Sequence, residues 1–174
     1  MKLLAFAATS SSKSINKQLV TYASQQFENA EVEILDINDY ELPLFSEDKE
    51  IELGKPELAQ QFLQKIAQSD SVIISFAEHN GSYTVAYKNI FDWASRINPK
   101  VFQNKPMVML STSPGPGGAA SVLAAATNSA PYFDGDVKAS VSVPSFYDNF
   151  DIEQSRITND EINKELLNAL NKLM

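Results

Sequence analysis

The chain has 174 residues, 44% hydrophobic and 21% charged, with a formal net charge of −8. That length and balance describe one globular domain, spanning 1–174, with a sizeable core, and the acidic charge, with no Lys/Arg cluster, argues against nucleic acid or an anionic membrane surface as a partner. There is no cysteine and His79 is the only histidine, so disulfides, thiolate catalysis, cysteine-ligated metal and a multi-histidine site are excluded.

"LLAFA" (3–7) reads as a first buried strand. Preceded by Lys2, it also resembles the start of a signal peptide, but the run from Leu3 to Ala8 is shorter than the roughly 7–15 residues such a segment uses. No run is long enough to cross a membrane, so the cytoplasm is the expected compartment. A helix is predicted over 14–28, with Ile15, Leu19, Ala23 and Phe27 at helical spacing. "EVEILDI" (31–37) is the second strand, and 38–54, with Pro43, reads as a long polar loop. Pro56 opens a helix carrying Leu58, Phe62 and Ile66 on one face. "SVIISFA" (71–77) is a continuous apolar strand, as in a sheet covered on both faces. A helix over 83–97, a strand over 106–113, an Ala-rich helix over 117–129 and a strand over 137–143 follow. The last helix, 158–173, opens with Thr158 and Glu161 as a capping box.

Strict alternation of strands and helices predicts an α/β three-layer sandwich: a parallel sheet with right-handed crossovers and helices on both faces. Five strands at this spacing fit the flavodoxin-like order 2-1-3-4-5. In such sheets ligands bind beyond the carboxyl ends of the strands, near the switch in strand order. The three chemically unusual loops of this sequence follow the first, third and fourth strands, which lie side by side in that order.

The first loop, "ATSSSKSIN", packs Thr9, Ser10, Ser11, Ser12 and Ser14 ahead of a helix. Hydroxyls and the free N–H groups of a helix start can hold an anion, and Lys13 adds charge. The plain alternative is a serine-rich turn with Ser14 or Ser12 as N-cap. The second, "AEHNGSY" (77–83), carries Glu78, His79, Asn80 and Gly81. Asn-Gly favours a tight turn with positive φ, which would present backbone groups to the edge of a flat ligand; an ordinary strand-to-helix turn would look the same. The third, "TSPGPGG" (112–118), holds Ser113, Pro114, Gly115, Gly117 and Gly118. Its glycines permit close backbone approach to a ring, or form a simple connector.

With these loops in place the chain resembles the NADPH-dependent FMN reductase family, with its chromate/quinone reductases and azoreductases. The family's G-S-x-R-x-x-S-x-N loop falls on Ala8, Thr9, Ser11, Ser14 and Asn16, with Ser14-Ile15-Asn16 kept, Ala8-Thr9 for Gly-Ser and Ser11 for the arginine. "AEHNGSYTVAYKNIFDW" is similar to the family's P-E-Y-N-G-S and K-N-x-x-D-W motifs, and "SPGPGG" (113–118) to its S-P-G-G-x-G-G. The resemblance implies FMN lying across the sheet rim. Its phosphate would meet Thr9, Ser10, Ser11, Ser14 and Asn16, with Ile15 among the cofactor-binding residues. Its ring edge would meet Glu78, His79, Asn80 and Gly81, and Ser113–Gly118 would flank the ring.

It also implies NAD(P)H as hydride donor and a quinone, azo compound or flavin as acceptor, with no obligatory side-chain acid or base. A flavodoxin-type electron carrier and a flavin-free binding protein are the alternatives on the same fold. The helix from Tyr83 to Ile97 has two apolar stripes, Tyr87, Ile90, Phe91, Ala94, Ile97 and Tyr83, Ala86, Ile90, Trp93, Ile97. Either this is a deeply buried helix, or part of the face meets another subunit. The resemblance implies a homodimer, or a tetramer, through it.

Overall fold

The computed structural model describes all residues, 1–174. The first half comprises β1 (Lys2–Ala8), α1 (Ile15–Ser24), β2 (Glu31–Leu35), α2 (Glu47–Leu53), α3 (Glu57–Gln68) and β3 (Ser71–Phe76). A hairpin of β4 (Glu78–His79) and β5 (Ser82–Tyr83) follows, then α4 (Val85–Ile97), β6 (Pro106–Thr112), α5 (Ala120–Ser129) and β7 (Asp136–Val143). The chain closes with α6 (Phe146–Asn149), a second hairpin of β8 (Phe150–Asp151) and β9 (Arg156–Ile157), and α7 (Asp160–Leu170).

The main strands pair in parallel in the order β2-β1-β3-β6-β7, the flavodoxin-like order expected. Alternation along each strand splits the core in two, because successive side chains point to opposite faces. Leu4, Phe6, Ile74, Phe76, Met107 and Met109 pack under α3, α4 and α5. Leu3, Ala5, Ile73, Val108 and Leu110 pack under α1 and α7. This is why the central strands read as unbroken apolar runs: both of their faces are covered.

Four expectations need correction. The stretch 38–54 is not all loop: residues 37–40 form a 3-10 turn, and α2 follows, capped where Ser46 Oγ accepts the Lys49 N–H at 3.1 Å. None of α2 is buried, so it carries no apolar periodicity to read; its acidic first turn and the ion pair between Arg96 and Glu50 hold it. The cap of the last helix is Asn159, which accepts from the N–H groups of Glu161 and Ile162; Thr158 instead donates its N–H to Asn149. The predicted 14–28 helix ends at Ser24, and the predicted 117–129 helix begins at Ala120.

Candidate functional site

The first loop leaves β1 and enters α1 with Ser14 as N-cap, its Oγ accepting from the N–H groups of Asn16 and Lys17 at 3.1 and 3.3 Å. Thr9 Oγ1 accepts from the Ser11 N–H at 3.2 Å, which tightens the turn. The N–H groups of Ser10, Ser12, Lys13, Ser14 and Ile15 donate to no other group of the chain. Donors gathered at a helix start, with the helix dipole behind them, form an anion cradle. Lys13 stands in it without an ion-pair partner, whereas Lys17 is tied to Asp36 at 2.6 Å. That contact holds the Asp36 carboxyl below its ordinary range.

Asn16 is 2% exposed and its amide is used inside the chain. Nδ2 donates to the Thr112 carbonyl at 3.1 Å, and Oδ1 accepts from the Thr112 N–H at 3.1 Å and from Ser75 Oγ at 2.8 Å. The residue thus bolts the start of α1 to the ends of β3 and β6.

The Asn80-Gly81 turn takes the conformation expected of it. Both residues have positive φ, 53° and 75°, as a two-residue type I′ hairpin requires. Neither N–H is bonded within the chain. Glu78 supports the fold directly, because its Oε2 accepts the Val122 N–H at 2.8 Å. It thereby replaces the cap that α5 lacks, since the residue before that helix, Ala119, has no side-chain acceptor.

The glycines of the third loop divide in the same way. A Cβ on Gly118 would stand 2.2 Å from Ser142 Oγ and 3.1 Å from the Pro144 nitrogen, and its φ is +57°, so this glycine serves the packing of the loop against β7. At Gly115 and Gly117 a Cβ would meet nothing within 4 Å, and their N–H groups are free. Thr84, which caps α4, donates its hydroxyl to the Ala8 carbonyl at 2.9 Å and so joins the second loop to the first.

A single open cleft of about 250 Å³ joins the three loops. Of the residues singled out from sequence, Thr9, Ser11, Ser14, Ile15, Asn16, Glu78, His79, Ser113 and Pro114 line it. Ser10 opens instead into a neighbouring groove beside Tyr40 and Val85, and Asn80, Gly81, Gly115, Gly117 and Gly118 lie outside the cleft walls. Tyr147 lines the cleft and was not singled out. It follows β7 by four residues, and the docking of Phe146 beside Ser113 is what brings it to the cleft. The cleft offers an anion the free N–H donors of the first loop together with Lys13.

A three-layer α/β domain with an anion cradle beyond its central strands belongs to the flavodoxin-like class of proteins. The model of the family described as NADPH-dependent FMN reductase matches residues 1–147, and the chain belongs to that family. It is 38% identical over 91 residues to an NADPH:quinone oxidoreductase of Arabidopsis thaliana, covering 52% of this chain and 45% of that protein. It is also 38% identical over 109 residues to a 2-hydroxy-1,4-benzoquinone reductase of Burkholderia sp, covering 62% and 57% respectively. The chain thus spans about half the length of the curated relatives it matches. Its fold is similar to that of the flavoenzyme NAD(P)H:(acceptor) oxidoreductase FerB from Paracoccus denitrificans, with a TM-score of 0.77 at 24% identity over 99% of this chain and 94% of that one.

Proposed function

We propose that this protein is an FMN-dependent NAD(P)H oxidoreductase that delivers electrons to a quinone, azo compound, free flavin or similar small acceptor, in the cytoplasm. The observation that carries the reading is the cradle of unpaired N–H groups at Ser10 and Ser12–Ile15, joined by Lys13, at the mouth of a cleft where three loops meet. Bound FMN would supply the two-electron chemistry between nicotinamide and acceptor. The chain itself holds and orients. The first loop takes the phosphate, through backbone donors and the hydroxyls of Thr9, Ser11 and Ser14. A ring that extends past the cleft walls would meet the free N–H groups of Asn80, Gly81, Gly115 and Gly117 as donors to its edge, where negative charge gathers on reduction. Ala77, His79 and Pro114 wall the cleft between them.

Apoprotein titrated with FMN should quench flavin fluorescence with a Kd at or below tens of micromolar, as an order of magnitude for a useful site. NADH or NADPH should then bleach the bound flavin, and a quinone should restore its colour. Binding without bleaching by either nicotinamide would make the chain an electron carrier; no quenching at all would overturn the reading.

The same reading has two copies meeting through α4 and α5, as a homodimer or as half of a tetramer. Its support is an apolar groove of about 320 Å³ between these helices, walled by Phe91, Ala125 and Phe133, with Tyr132, 85% exposed, next to Phe133. Tyr87 and Trp93 belong to the chain's own interior, at 4% and 0% exposure, so a charge at Tyr87 would break the core before any interface. Ala125 is exposed on the groove, and Ala125→Glu should reduce the mass seen by light scattering to 19.2 kDa. A wild-type mass of 19.2 kDa at micromolar concentration would refute the assembly.

A further inference from the structure

We propose that the Tyr147 hydroxyl is a phosphate ligand, donating a hydrogen bond to the anion held at the first loop. The inference rests on the FMN reading above and names a residue that closes its phosphate end.

Tyr147 is 60% exposed, yet the segment that carries it is fixed. The Ser145 N–H donates to the Gly115 carbonyl at 2.9 Å, and the Phe146 N–H to the Ser113 carbonyl at 3.0 Å, so the segment is laced to the third loop. Asn149 Nδ2 donates to the Pro144 carbonyl at 2.9 Å and closes the turn from within. Phe146 is fully buried and stacks on Phe150 with ring centroids 4.6 Å apart; the Tyr147 ring meets Phe146 edge-on at 5.5 Å. Ser145 sits at φ 44°, a left-handed conformation that non-glycine residues rarely adopt. The surrounding bonds hold it there, and the outcome is an aromatic alcohol standing at the cleft edge.

The topology says which end of the cleft it serves. Phe146 and Phe150 share their core with Leu19 and Val20 of α1, and Tyr22 of α1 meets the Phe150 ring edge at 6.0 Å. Tyr147 therefore stands on the α1 side of the sheet, as the first loop does. The hairpin with His79 feeds α4, which packs on the opposite face.

The chemistry matches that placement. Tyr147 lines the cleft, and its hydroxyl makes no hydrogen bond within the chain. A phosphate monoester presents three strongly accepting oxygens. In a chain of net charge −8, with Lys17 committed to Asp36, Lys13 is the one cation lining the cleft. A phenolic donor adds a charge-assisted bond where a second cation is missing.

The test is fluorescence titration of apoprotein with FMN and with riboflavin, which lacks the phosphate, and it needs no turnover. Tyr147→Phe keeps the ring and removes only the hydroxyl; at an exposed position it should leave the melting temperature unchanged. It should weaken FMN about tenfold, the scale of one hydrogen bond to a charged group, and leave riboflavin unchanged. Lys13→Ala should show the same selectivity for FMN. Unaltered FMN affinity in Tyr147→Phe would overturn the proposal, and so would an equal loss for both flavins. If wild-type apoprotein binds riboflavin and FMN equally, the phosphate is not held here and the assignment falls; if it binds neither, the functional reading itself fails.

Discussion

Within one turn of the start of α1, two regions of the same motif behave in opposite ways. Around Asn16 every polar group is matched: its amide meets both backbone atoms of Thr112 and the Ser75 hydroxyl, all of them buried. From Ser10 to Ile15 the backbone donors other than that of Ser11 are unmatched, and the hydroxyls of Ser10, Ser11 and Ser12 face solvent. A buried polar group without a partner costs too much to persist, so the first region is finished within the chain. An exposed N–H solvated by water costs little and stays available to a ligand. Scaffold and ligand donors thus sit side by side, and residue type alone does not separate them. The same division recurs at Gly118 against Gly115 and Gly117, and at Glu78 against the Asn80-Gly81 turn.

The sharpest way to test this division is to remove the finished region. Asn16→Ala leaves the Thr112 N–H and carbonyl and the Ser75 hydroxyl buried without their partner, at about 1–3 kcal/mol for each unsatisfied group and about 3 kcal/mol or more in total. For a domain of this size that lowers the thermal midpoint by roughly 10 °C. The loss should be present without any flavin and should fall equally on FMN and riboflavin binding. Unchanged stability, with a selective loss of FMN, would instead place Asn16 among the phosphate ligands.

The fold was legible because the central strands are covered on both faces and declare themselves as apolar runs, broken by helical spacing at Leu19 and Phe62. Local backbone chemistry was legible too: Ser14 caps α1, and Asn80-Gly81 turns with positive φ. What escaped has a common physical cause, namely contacts made across the sequence. The role of Asn16 depends on Thr112, and that of Glu78 on Val122. The place of Tyr147 depends on how Phe146 docks beside Ser113. On α4, Trp93 is buried as the deeply buried reading of this helix expects, whereas Tyr87, which the subunit-contact reading would leave for a partner, faces its own chain. Helix α2 escaped for the reverse reason: it buries nothing, so no pattern marks it.

A gentler probe of the same division is Glu78, which sequence reasoning set at the ring edge and the structure uses to cap α5. Its Oε2 accepts from the Val122 N–H at 2.8 Å, near the positive end of the helix dipole. Removing such an acceptor costs about 1 kcal/mol, with a few tenths more from the lost charge. Glu78→Ala should therefore lower the thermal midpoint by about 3 °C. Glu78→Gln keeps an acceptor oxygen at the same reach and should recover most of that loss, since the hydrogen bond outweighs the screened charge at this half-buried position. Thermal melts of the two apoprotein variants decide the matter. If both melt like wild type, the carboxylate does not cap α5 in solution and is free to meet a ligand. If Gln is as damaging as Ala, the charge on the helix end, and not the hydrogen bond, is what the residue supplies.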